Sequence, residues 1–66
     1  MTQIATIPTE ALERDLQASR DDISICEVAL LHGVTSYRGG SVQERLDDNR
    51  RFVKVISEEL ERRGVK

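Results

Sequence analysis

Apolar residues recur at intervals of three and four along two runs of nearly equal length, and few folds other than paired amphipathic helices accept that rhythm. In the first run Leu12, Leu16, Ile23, Cys26 and Leu30 share one phase, with Ser19 filling the gap. In the second, Val42, Leu46, Asn49, Val53, Ile56 and Leu60 do the same, and Phe52 and Val55 widen the stripe. Both runs read as heptad seams. Thr9, just after Pro8, is the expected N-cap of the first helix, with Glu10 and Glu13 supplying negative charge to its first turn. Gly33 and Val34 supply a stop, since glycine adopts the left-handed conformation and the next apolar residue folds back on the last turn. Ser41 followed by Glu44 forms a capping box for the second helix, and Gly64-Val65 repeats the earlier ending. The spacing therefore predicts a flexible arm over 1–8, a helix over 9–32, a connection over 33–40 and a helix over 41–63. The polar run Ser19-Arg20-Asp21-Asp22 leaves open a break in the first helix.

Two helices of about 23 residues, each roughly 35 Å long, joined by a short loop predict an all-α antiparallel hairpin. The segment Ile23–Leu31 is apolar on more than one side. Ile25, Val28, Ala29 and Leu31 fall outside the seam, so one partner helix cannot cover them all. A homodimer closing a four-helix bundle is the expected remedy. The chain has 66 residues, a size at which one core rarely supplies more than about 3–5 kcal/mol without reinforcement. Cys26 is the only cysteine, which rules out an intrachain disulfide.

Ten basic residues against twelve acidic give a net charge of −2. That balance lacks the basic excess of a dedicated polyanion binder. The first ten residues show neither the basic start nor the apolar core of a secretion signal, and no run of eighteen apolar residues is present. Together with the free thiol, this reads as a cytoplasmic protein with no membrane partner. A lone His32 beside one cysteine cannot furnish a zinc site. No catalytic set, metal set or cofactor motif emerges, and an enzyme is not expected.

The residues left for function are few. Asn49, a polar group on a seam, is expected to specify register. Cys26 reads as a small buried hydrophobe, and His32 as a helix C-cap. Tyr37 and Arg38, at the tip of the hairpin, are residue types that anchor protein interfaces. They and the uncovered Val28 and Leu31 are the expected contacts for a protein partner not identified by the sequence. A further reading places an anion at Arg38 and the backbone N–H groups of Gly39, Gly40 and Ser41. Acid-before-base pairs four residues apart, Asp47 with Arg51, Glu58 with Arg62 and Glu59 with Arg63, are expected on the solvated face.

The segment from Ala29 to Leu46 resembles the helix-turn-helix family: Ala29, Gly33 four residues later, then Val34-Thr35, with Ser41-Val42 and Leu46 opening a second helix. Three more residues than that pattern has separate Thr35 from Ser41. The resemblance implies DNA binding through the second helix, where Arg45, Arg50 and Arg51 stand among Glu44, Asp47 and Asp48. In overall layout, with its brief arm IPTEALERDL, two capped helices and an ERRG ending, the chain is similar to the small accessory proteins of tailed phages and prophages. That resemblance implies a binding protein, a regulator or inhibitor of a host or phage macromolecule.

Overall fold

The computed structural model describes residues 4–65. Helix α1 spans Thr9–Leu31 and helix α2 spans Val42–Arg62. They pack antiparallel along most of their lengths, with few tertiary contacts elsewhere. Helix α1 is unbroken through Ser19–Asp22. The polar run causes no kink because Ser19 is small enough to be buried in the seam, while Asp22 turns toward α2.

Both helices end in the same way. Gly33 has φ +79°, the Gly33 N–H donates to the Leu30 carbonyl at 3.0 Å, and the Val34 N–H donates to the Ala29 carbonyl at 2.8 Å. Gly64 has φ +81°, with Gly64 donating to Glu61 at 3.0 Å and Val65 to Leu60 at 2.9 Å. These are Schellman motifs, and they satisfy carbonyls that a helix end otherwise leaves open. His32 occupies the first C-cap position and Arg63 the second. At the start of α2 the Ser41 hydroxyl accepts a hydrogen bond from the Glu44 N–H at 3.2 Å, as the capping box requires.

The start of α1 differs from the sequence expectation. Pro8, extended at ψ 144°, takes the N-cap position, and Thr9 is the first helical residue. Proline has no side-chain acceptor, and Thr9 Oγ1 instead accepts from Arg63 Nη1 at 3.0 Å. Ile4–Thr6 form a turn of 3-10 helix, and Ile4 and Ile7 pack against the end of the hairpin; residues 1–3 of the expected arm lie outside the described residues. Arg63 ties the turn down, donating through Nη2 to the carbonyls of Ile4 at 3.0 Å and Ala5 at 3.3 Å.

The core comes in two parts. At the foot, where the two ends of the chain meet, Leu12, Ile56 and Leu60 are buried beneath Ile4, Ile7, Leu16 and Val65. Nearer the tip, Cys26, Val42 and Leu46 are buried with Ile23, Ala29 and Leu30 around them. Between the two lies a polar waist. The Asp22 carboxylate receives a bidentate pair of hydrogen bonds from Arg45, at 2.7 and 3.0 Å, and a third from Asn49 Nδ2 at 2.6 Å. Asn49 Nδ2 also donates to the Arg45 carbonyl at 2.9 Å. A slide of α1 against α2 by one turn would leave the half-buried Asp22 without its Asn49 and Arg45 donors.

The charged pairs need correction. Glu59 and Arg63 do pair, at 2.7 Å, but Glu59 is only 8% exposed, and the pair belongs to the packed foot rather than the solvated face. Arg62 bonds Glu59 at 2.6 Å instead of Glu58, and Arg51 bonds Asp48 at 2.9 Å instead of Asp47. Three-residue spacing wins in both cases, since i,i+3 neighbours are as close as i,i+4 neighbours on a helix.

Candidate functional site

The connection between the helices is an ordered ribbon rather than a loop. Strand β1, Ser36–Tyr37, pairs antiparallel with strand β2, Gly40–Ser41, in the register Ser36 to Ser41 and Tyr37 to Gly40. Only Arg38 and Gly39 make the turn, with φ +52° and +79°. Positive φ at both central residues is the signature of the type I′ turn, whose twist matches that of the strands it joins. Glycine takes this conformation freely, whereas an arginine there is strained. The Val42 N–H donates to the Thr35 carbonyl at 3.0 Å, so the ribbon leads straight into α2. Strand pairing sets Gly40 opposite Tyr37, and the Ser41 hydroxyl accepts from the Glu44 N–H.

Arg38 lies over the Tyr37 ring, its guanidinium carbon 5.3 Å from the ring centroid. Tyr37 is 57% exposed. Stacking of this kind holds a long cationic side chain in place at modest energy. Among the described residues Arg38 forms no ion pair.

Beside the ribbon, between it and the two helices, lies an open groove of about 450 Å³. Buried Cys26 and Val42 with half-buried Ala29 form its floor, and the exposed Ile25, Val34 and Tyr37 its rim. The Asp22–Arg45 pair closes the end toward the waist. Asp22 titrates below the ordinary carboxylate range, held there chiefly by the Arg45 hydrogen bonds and further by Asn49, against partial desolvation. Arg45 is correspondingly shifted up by Asp22. That end of the groove is therefore a neutralised pair, leaving Arg38 as the unneutralised cation.

Of the residues singled out from sequence, Tyr37 and Arg38 come together at the tip. Val28 and Leu31 do not line the groove. At 100° per residue they lie about 160° and 140° around α1 from buried Cys26, on the outer side of the helix. Val28 is 54% exposed and Leu31 82%, and Ile25, at the rim, is 65% exposed. The sequence did not announce Val34 or Ile25 as companions of Tyr37, because the two-strand ribbon that gathers them has only four residues. Its one legible sign was glycine at 39 and 40, which also suits an irregular loop.

Among the described residues no group of three potential ligands gathers to hold a metal ion, and no helix is long and apolar enough to cross a membrane. Cys26 is buried on the floor of the groove, which the Asp22–Arg45 pair also lines. The segment that resembles a helix-turn-helix contains the two-strand ribbon between its helices. No protein-family profile, curated protein or solved structure matches the chain.

Proposed function

We propose that this protein is a small helical interaction module that works by binding proteins, itself included, and performs no chemistry. The observation that supports this reading is the uncovered apolar side of α1. Ile25, Val28 and Leu31 are each more than half exposed, and all three stand outside both core clusters. Large aliphatic side chains repeated at three-residue steps on the outside of a helix lose free energy when another surface covers them, at about 25 cal/mol per Å². Among the described residues six apolar side chains are buried, so three more left on the outside are a substantial addition.

Two copies of the hairpin packed as a four-helix bundle would cover Val28 and Leu31 and leave Ile25, which lines the tip groove, at the edge of the interface. The same face, or the tip around Tyr37 and Arg38, would serve a second protein, and a role as cytoplasmic regulator or inhibitor follows the resemblance to phage accessory proteins. The test is molar mass in solution across a hundredfold range of concentration, for the wild type and for Val28→Glu with Leu31→Glu. A dimer that the double variant converts to a folded monomer supports the reading. A wild-type monomer at every concentration removes the self-association, and the apolar stripe must then belong to another protein alone.

A further inference from the structure

Three independent features meet at the hairpin tip. The first is the groove, apolar on its floor and rim and of a volume that accepts an apolar side chain. The second is charge: from His32 to Gln43 Arg38 is the only charged side chain once the histidine is neutral, in a protein whose net charge is −2. The third is strain. Asparagine or glycine would make the Arg38 position of this turn at lower cost, yet an arginine stands there, in the left-handed region, with its guanidinium stacked over Tyr37 beside the groove.

We infer that the tip is a docking site for an acidic, partly apolar peptide segment: an aliphatic or aromatic side chain enters the groove and a neighbouring carboxylate meets Arg38. This rests on the interaction-module reading and names the chemistry of its partner. Charge decides the occupant. Arg45, the cation that lines the groove, is already paired with Asp22, whereas Arg38, stacked on the Tyr37 ring at the rim, has no ion pair among the described residues and so adds one free positive charge beside the apolar pocket. A single free arginine is a poor counterpart for a nucleic-acid backbone, which needs several cations in a row. It suits one carboxylate, to which guanidinium makes paired, charge-assisted hydrogen bonds. The Tyr37 ring under Arg38 gives the contact the amphipathic character of interface anchors.

The experiment is selection from a displayed random-peptide library against the full chain, followed by affinity measurement of the enriched peptides with three proteins: wild type, Arg38→Asn and Ile25→Glu. Arg38→Asn suits the turn and removes the charge, so it should melt no lower than wild type while binding at least about tenfold more weakly. Ile25→Glu changes a rim residue that is 65% exposed and spares the core, and it should also weaken binding. The enriched peptides should join Leu, Ile or Phe to a nearby Asp or Glu. Peptides without carboxylates, or indifferent to Arg38→Asn, overturn the proposed chemistry. Peptides indifferent to both substitutions overturn the tip as the site while leaving an interaction module standing, and a failure to enrich any peptide counts against both. Duplex DNA retained at low salt and lost on Arg38→Asn would make the tip a phosphate contact and overturn the inference.

Discussion

Glu59 shows how one side chain can serve two elements. Its carboxylate is almost covered, yet Arg62 and Arg63 hold it ionised, and its pKa is lowered from 4.5 to about 2, first by the Arg62 hydrogen bonds and then by Arg63. A group whose folded pKa lies below its unfolded value stabilises the fold fully above the unfolded pKa, and that stabilisation is lost as pH falls through the folded one. Thermal melting followed by circular dichroism should therefore hold steady down to about pH 4.5 and fall steadily toward pH 2. Glu59→Gln should melt lower at neutral pH and decline less steeply in acid; equal acid slopes would show that this carboxylate plays no part. Arg63 uses its other nitrogens on the arm. In Arg63→Ala the Ile7 amide, which donates to Ile4 at 3.2 Å, should exchange with solvent much faster, while amides in the middle of α2 keep their protection.

At the scale of elements, the helices were legible because their boundaries are written in local chemistry. Glycine beyond the last turn of both helices, serine before the first turn of α2 and a three–four apolar rhythm mark those bounds, whereas the start of α1 falls at Pro8, which has no side-chain acceptor. Such signals have measurable worth. Gly33→Ala meets no atom within 4 Å, so its cost is backbone strain alone at φ +79°, about 1 kcal/mol by chemical denaturation. Ser41→Ala removes the hydroxyl that accepts from Glu44 and should cost a similar ~1 kcal/mol. The site was less legible, for a reason of distance. Asp22 and Arg45 are 23 residues apart, and Arg63 and Ile4 are 59 apart; neither pairing has a sequence spacing to betray it. Asn49 could be singled out because a polar residue on a seam is a local anomaly. Asp22 could not, because it sits in a run of polar residues that suits a kink equally well. The ribbon at the tip escaped notice because two pairs of residues are too few to show alternation.

The whole molecule is two small cores joined by a polar waist, and it has little stability to spare. Ile56 is fully buried, and Ile56→Ala should cost about 2–5 kcal/mol. A chain of this size holds roughly 3–5 kcal/mol in one core. The variant should therefore lose most of its helical circular dichroism at micromolar concentration. Recovery of that signal as protein concentration rises would show that a second copy contributes to the fold, since mass action stabilises only an assembly.

The clasp between Arg63 and the carbonyls of Ile4 and Ala5 has a practical corollary. It gathers the first and last described residues at one end, and Arg38 stands at the hairpin tip, the other end of a molecule 39 Å in its longest dimension. A resin, a fluorophore or a neighbouring domain attached at the Arg63 end would sit behind the molecule and leave its arginine-bearing tip facing outward, like a probe on a handle.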